Sequence, residues 1–274
     1  MSESTRHDLA TAPIVVTGAA SGIGRALTEQ LLAAGRTVHA LDRVACPVDG
    51  VPTTLCDLAD PAAIAAAVAE LPPTIAGLAS VAGVPGTADP RVVLLVNLLA
   101  PQLLAGHLAD RLAEGGAIVN VSSMAAHRNA ETDESVEELL AATTVEGIEA
   151  WIAARGIGGP AAYDTSKHAL NRATQRLAAR LVGVRRRALT VSPGPVQTPI
   201  LGDFRVSMGE ESIDRAERAV GRHATADEVA AVVGFALSPQ ATWVTGIDIP
   251  ADGGLGAVRA AATAPAPQTA GAPA

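Results

Sequence analysis

Short apolar runs alternate with amphipathic helical stretches along almost the whole chain, and this alternation leaves few architectures open. APIVVTG is followed by GIGRALTEQLLAAG, RTVHALD by PAAIAAAVAEL, and TIAGLASVAG by VVLLVNLLAPQLLAGHLADRLAEG. GAIVNVSS, RALTVSPG and TGIDIPADGG then interleave with a helix expected from Ala161 to Val182 and with ADEVAAVVGFALS. Strands separated by helices cannot pair as tight hairpins. They need crossovers, which build a parallel sheet covered on both faces. Counting a third strand before Asp57, the chain predicts seven strands in a single doubly wound α/β domain over residues 13–256. Such a domain binds its ligand at the carboxyl ends of the strands. Residues 1–12 read as a loose lead-in and residues 257–274 as a low-complexity Ala/Pro tail, both expected to be disordered.

Composition narrows the partners. Of 274 residues only 2% are aromatic and the net charge is −8, which argues against base-stacking surfaces and nucleic acid. Cys46 and Cys56 are too few for a disulfide framework and lack metal-ligand spacing, so a reduced, cytoplasmic protein without a metal is expected. The N-terminus has no apolar leader, and no run of about 18 apolar residues is read as a membrane span.

The first strand runs into TGAASGIG, where Gly18, Gly22 and Gly24 open a helix. Gly18 allows a tight turn, Gly22 a close approach of a pyrophosphate, and Gly24 close packing of helix on strand. The helix N-terminus adds free N–H groups and positive dipole. Gly18, Ser21, Gly22 and Ile23 are therefore the candidate phosphate-side contacts. Asp42 ends the second strand, 18 residues beyond Gly24, where a carboxylate can accept the adenosine ribose hydroxyls and would repel a 2′-phosphate. Arg43 could hold that phosphate, but Ala20 and Ser21 add no second positive charge. NAD is expected over NADP. Asp57 and Leu58, after the third strand, fall where an adenine ring could be gripped.

The chain has one tyrosine and one lysine, and they stand four apart in AAYDTSKHAL. On a helix Tyr163 and Lys167 share a face. A phenol titrates near pH 10, and a neighbouring ammonium favours its phenolate, so this pair suits acid/base work on an alcohol or carbonyl. Ser122 and Ser123 end the strand GAIVNVSS and can place a hydroxyl at the sheet's carboxyl edge. Asn97 is a polar residue in an apolar helix, where an unpaired amide would be costly. It is read either as a link from Lys167 to water or as a core amide that bends its helix.

Together, TGAASGIG, the strand-end Asp42, Asn97, Ser122-Ser123, YDTSK and SPGPVQTP resemble the short-chain dehydrogenase/reductase family over about residues 13–255. The resemblance implies a Rossmann-type sheet and a tetrad of Asn97, Ser123, Tyr163 and Lys167, with the second serine of the pair preferred. It also implies that Val196 and Thr198, after the cofactor-contacting Pro193 and Gly194, hold the nicotinamide carboxamide, and that Ala82-Gly83 stands for the family's N-A-G segment, with Ser80 in place of its leading asparagine.

One departure narrows the resemblance. Forty residues separate Ser123 from Tyr163, where most of the family has about a dozen, so residues 124–160 are an insertion with helical pattern and Thr132 or Asp133 as its cap. The insertion, the short connection from Asp42 to Asp57 and the ending IDIPADGG are similar to bacterial 3α-hydroxysteroid dehydrogenase/carbonyl reductases. That similarity implies an apolar, cyclic alcohol or ketone as substrate and a homodimer in preference to a tetramer. An aromatic or terpenoid (coniferyl- or carveol-type) alcohol is the alternative, and a non-catalytic NAD-binding regulator is the rival outside enzymes. Residues 200–222 are long enough for a lid. Phe204 and Met208 there, and Trp151 in the insertion, are candidate substrate contacts beside Ser123.

Overall fold

The computed structural model describes residues 9–263. Its strands are β1 Ile14–Thr17, β2 Val38–Asp42, β3 Thr53–Leu55, β4 Ile75–Ser80, β5 Leu112–Val121, β6 Arg187–Pro193, β7 Val196–Gln197, β8 Ala224–Thr225 and β9 Asp248–Ala251. Seven of them form one sheet in the order β3-β2-β1-β4-β5-β6-β9, with every neighbour parallel, as the alternation predicts. β7 and β8 pair separately above its carboxyl edge. The order reverses between β1 and β4, which opens a crevice there.

The helices are α1 Gly22–Ala33, α2 Pro61–Glu70, α3 Pro90–Arg111, α4 Asp133–Ala141, α5 Val145–Arg155, α6 Gly159–Leu181, α7 Leu201–Met208, α8 Glu210–Val220, α9 Ala226–Leu237 and α10 Leu255–Thr263. Successive strand residues point to opposite faces. Val16 therefore packs with Leu27 of α1 and Val233 of α9, while Val15 packs with Ile64 of α2, Leu104 of α3 and Leu177 of α6. Each such buried aliphatic side chain contributes about 1.5–3 kcal/mol of burial free energy.

Several expectations are revised. α3 is, by length and composition, long and apolar enough to cross a membrane, contrary to the sequence reading, but two thirds of it is buried against the sheet and α6, as a core helix requires. The helical reading also ran on to Gly115, whereas the helix stops at Arg111 and Leu112 opens β5 by pairing with Ile75. Tertiary pairing overrides local propensity there. Residues 9–11 of the lead-in are helical, with Leu9 buried and its carbonyl accepting from Arg36 Nη2 at 2.8 Å. Residues 257–263 continue α10, because LGAVRAAAT is rich in the best helix former and Leu255 anchors it. Residues 1–8 of the lead-in and 264–274 of the tail lie outside the described residues.

The insertion is helical. Thr132 caps α4 by accepting from Ser135 N at 3.2 Å, and Thr144 caps α5 in the same way from Gly147 N at 3.1 Å. Val136, Leu139 and Ile148 pack onto Val93 and Leu94 of α3 and Leu170 of α6. Ion pairs Arg91–Glu149 at 2.5 Å and Arg172–Asp133 at 2.9 Å fasten the same faces. The insertion thus covers the two helices that carry Asn97 and the Tyr163–Lys167 pair.

Candidate active site

A cleft of about 490 Å³ lies over the switch point at the carboxyl ends of the strands. Gly18, Ser21, Gly22 and Ile23 form one end of it, with Asp42, Arg43, Asp57 and Leu58 beside them. The glycine loop is built as its sequence requires. Gly18 has φ +70°, and a Cβ on Gly24 would sit 2.1 Å from the Gly18 carbonyl oxygen, so only glycine lets α1 start this close to β1. Ser21 makes no side-chain cap bond and the first turn holds no acidic residue, which leaves the N-terminal N–H groups of α1 for an anionic ligand. Ala20 N–H donates to Asp42 Oδ2 at 3.0 Å and Arg43 N–H to Oδ1 at 2.7 Å. Asp42 therefore ties the loop to the end of β2 while its carboxylate faces the cleft. This cradle, an open helix N-terminus with the Asp42 carboxylate beside it, fits a nicotinamide dinucleotide.

Ala82, Gly83, Pro193, Gly194, Val196 and Thr198 line the middle of the cleft. Thr17 Oγ1 accepts from both Val81 N and Ala82 N at 3.0 Å, holding the segment that Ser80 does not reach. The Ser80 hydroxyl is buried without a partner. The role of Thr17 is invisible in sequence, since a threonine at a strand end is commonplace.

Asn97 sits in a π turn, Leu95–Leu99, within α3. Such turns interrupt a helix where a residue has work outside it. Its amide accepts from Val84 N and donates to Val84 O, both at 2.9 Å. One acceptor and one donor position of the amide are thus held by the Val84 backbone. A Cβ on Gly83 would stand 3.2 Å from Asn97 Oδ1 and 3.6 Å from Lys167 Nζ, so the three residues meet at one point.

Tyr163 and Lys167 lie on one face of α6, as their spacing predicts, both almost wholly buried. Lys167 Nζ donates to Val121 O at 2.9 Å and stands 5.7 Å from the Tyr163 ring centroid. The structure also separates the serines. Ser122 Oγ turns inward and donates to the Lys167 carbonyl at 3.2 Å, whereas Ser123, whose Oγ accepts from Ala125 N at 3.1 Å, faces the cleft beside Tyr163.

The ionisation of the pair differs from expectation. Burial pushes Tyr163 up to about 12, against the lowering effect of Ser123 and Arg128, and Lys167 is not among the groups that lower it. Desolvation likewise brings Lys167 down to about 8. A lysine held below its usual 10.5 destabilises the fold at neutral pH, and that burden lifts as pH rises from about 8 to 10.5, where the folded chain has already released the proton that the unfolded chain still holds. Lys167→Met is accordingly expected to raise stability at pH 7 by on the order of 1–3 kcal/mol. The gain should shrink toward pH 10. Urea midpoints at the two pH values measure it, and an equal change at both would refute the desolvation account.

Phe204 and Met208 line the outer end of the cleft, and Phe204 meets Tyr163 edge-on at 5.3 Å. The segment expected as a lid loop is two helices, α7 and α8. The amphipathic spacing of Ile213 and Ala216, both buried, was the readable sign of the second. Trp151 is not brought to the cleft. It is buried in the insertion, its indole N–H donating to Ser135 O at 2.9 Å, because an apolar ring on the inner face of a covering helix has nowhere else to go. Arg128, Ile200 and Leu255 line the cleft unforeseen, since nothing in their local pattern marks them. Among the described residues no group of three or more His, Cys, Asp or Glu could hold a metal ion.

Comparison with known proteins bears on this geometry. The family described as short chain dehydrogenase matches residues 12–133, and one described as Enoyl-(Acyl carrier protein) reductase matches residues 144–256. A coniferyl-alcohol dehydrogenase of Pseudomonas sp. is 37% identical, covering 88% of this chain and 95% of its own. A 3-alpha-hydroxysteroid dehydrogenase/carbonyl reductase of Comamonas testosteroni is 32% identical over 89% and 96%. The crystal structure of a 3-alpha-hydroxysteroid dehydrogenase from Pseudomonas sp. B-0831, complexed with NADH, superposes with a TM-score of 0.80 at 32% identity, covering 92% of this chain and all of that one.

Proposed function

This chain belongs to the short-chain dehydrogenase/reductase family, an oxidoreductase family acting on alcohols and carbonyls with a nicotinamide cofactor, and from that premise we propose that it is an NAD-dependent dehydrogenase of an apolar, cyclic alcohol or its ketone. The observation that carries the reading is the convergence of Ser123, Tyr163 and Lys167 at the apolar end of the cleft, next to Phe204. Bound nicotinamide supplies the hydride acceptor in oxidation and the donor in reduction. Tyr163 Oη takes the substrate hydroxyl proton in oxidation and returns it in reduction, while the Ser123 hydroxyl holds the same oxygen in place. Lys167 would supply a positive charge near the ring and a donor to the ribose of a bound nicotinamide nucleotide, and Asn97 braces the Ala82–Val84 strip that flanks it. Turnover with NAD against a panel of steroid, phenylpropanoid, terpenoid and simple cyclic alcohols tests the proposal. NAD binding without turnover of any alcohol or ketone would sink it and favour a non-catalytic regulator.

A coniferyl-type aromatic alcohol is the second reading, supported by the 37% identical relative of that name. NAD over NADP is supported by the Asp42 carboxylate at the cleft wall, whose negative charge opposes a 2′-phosphate, and by the relative crystallised with NADH. Asp42→Asn keeps an acceptor for Ala20 N–H but removes the charge, so the NADP-to-NAD ratio of kcat/KM is expected to rise roughly 10–100-fold, the worth of a charged hydrogen bond and its repulsion. An unchanged ratio assigns the choice to Arg43 instead.

We further propose a homodimer in a reducing cytoplasm. The insertion covers α3 and α6, which removes one helical face from assembly, while Trp243 and Ile247 stand exposed just before the sheet-edge strand β9. Cys46 and Cys56 are free thiols. Light scattering that returns a monomer or tetramer mass would overturn the dimer.

A further inference from the structure

The charge that lines the cleft is divided by sign. Its carboxylates, Asp42 and Asp57, stand at the glycine-loop end, while the other end is lined by the cations Arg128, Lys167 and Arg259 and, among the described residues, by no acid. A chain whose net charge is −8 thus keeps negative charge away from its reacting end. Lys167 is buried and Arg128 donates to Asp164 Oδ1 at 2.6 Å, so both are held in the wall.

Arg259 belongs to α10, and its place follows from how that helix starts. The Asp252 carboxylate accepts from Gly254 N at 2.9 Å and from Gly256 N at 2.6 Å, which fixes the first turn. Leu255 in that turn is buried and lines the cleft, and a Cβ on Gly256 would stand 3.2 Å from Met124 Cε. The start of α10 therefore lies against the 3-10 turn Met124–Arg128 that follows Ser123. Residues four apart share a helix face. Arg259 follows Leu255 on the side toward the cleft and is exposed at its mouth, with Ser212 of α8 lining the same end. The nearby acids of α8 turn elsewhere: Asp214 pairs with Arg205 at 2.5 Å, and Glu217 stands 3.4 Å from His223 Nε2.

We propose that Arg259 is a specificity-determining residue, which selects alcohols and ketones whose apolar ring body carries a carboxylate away from the reacting oxygen. The inference rests on the dehydrogenase reading and narrows its substrate. Phe204, Met208 and Leu255 give an apolar wall that takes up a ring by burial, without choosing among neutral rings. A guanidinium at the mouth adds the choice. It meets a carboxylate with two parallel N–H bonds, whereas a neutral ester receives none of that charge attraction. Because Arg259 is exposed, the preference is modest and is screened by salt.

Matched pairs test it. 3α-Hydroxycholanate and 4-hydroxycyclohexanecarboxylate, each against its methyl ester, are oxidised with NAD, and the acid-to-ester ratio of kcat/KM is the readout. Arg259→Met is expected to lower that ratio by roughly 3–10-fold, through KM and not kcat, and Arg259→Glu to lower it further. Raising the ionic strength should erase the same preference in the unaltered protein. Binding of each acid and ester to the NADH-bound protein, followed by nicotinamide fluorescence, gives the comparison without turnover. A ratio near one in the unaltered protein, or one that neither substitution lowers, overturns the proposal. The two readings also fail separately. Turnover of neutral alcohols with a ratio indifferent to residue 259 would sink this inference alone, while Arg259-dependent binding of acid over ester, with no alcohol or ketone turned over, would sink the dehydrogenase reading alone.

Discussion

Tyr163→Phe is expected to lower turnover by roughly 10²–10⁴-fold, the range for removing a positioned general acid/base. The ring stays, so the edge-on contact with Phe204 at 5.3 Å and the packing under the insertion persist. What is lost is the hydroxyl beside Ser123 that carries the proton in the proposed reaction. Nicotinamide binding should be little changed, since the cradle at the other end of the cleft is untouched. Stability should hold or rise slightly at neutral pH, because a buried hydroxyl is removed. Single-turnover absorbance at the reduced-nicotinamide band, with fluorescence titration of NADH as control, separates these effects. Residual turnover within tenfold of the parent would show that another group moves the proton.

Gly24→Ala is expected to have the largest effect on the cofactor and on the fold together. Its Cβ would lie 2.1 Å from the Gly18 carbonyl oxygen and 2.6 Å from the carbonyl carbon, both backbone atoms with no rotamer to yield. The first turn of α1 must therefore tilt away from β1, and Thr28 loses its 2.9 Å bond to the Gly24 carbonyl or moves with it. Overpacking of this kind costs roughly 1–3 kcal/mol or more. In a domain of this size that corresponds to a melting-temperature drop of several degrees, at about 2–4 °C per kcal/mol. NAD affinity should fall at least tenfold, because the N–H groups that would receive the pyrophosphate lie in the displaced turn. Thermal scans with and without NAD read both quantities. An unshifted melting temperature with intact affinity would mean that the dinucleotide does not lie on this loop.

Much of the cofactor end was legible before the structure because it is written in local spacing. A glycine loop that follows an apolar strand and opens a helix can occupy only a few backbone shapes, and Asp42 closes the next strand in register with it. The Tyr163–Lys167 pair was legible for the same reason, since a spacing of four on a helix makes one face. The reading of Trp151 as a substrate contact fails where local pattern ends. Its helix turns that face inward because the insertion folds back over α3, a packing choice made by residues far away in sequence. The Asn97 amide points the same way: its period marks it as unusual, while its partner, Val84, belongs to a loop with no signal of its own.

By itself the sequence determined the alternation of strand and helix, the glycine cradle, the acidic strand end and the shared helix face of Tyr163 and Lys167, because periods of two and 3.6 and the steric demands of glycine act over a few residues. Only the tertiary structure decided that Ser123 and not Ser122 faces the cleft beside Tyr163, that Arg128 and Asp164 join across 36 residues, that residues 201–220 form two helices, and that burial holds the tyrosine up to about 12. Each of these depends on which distant segments exclude water from a group or bring a charge beside it, and desolvation and Coulomb energies follow distance in space, to which position in the chain is blind.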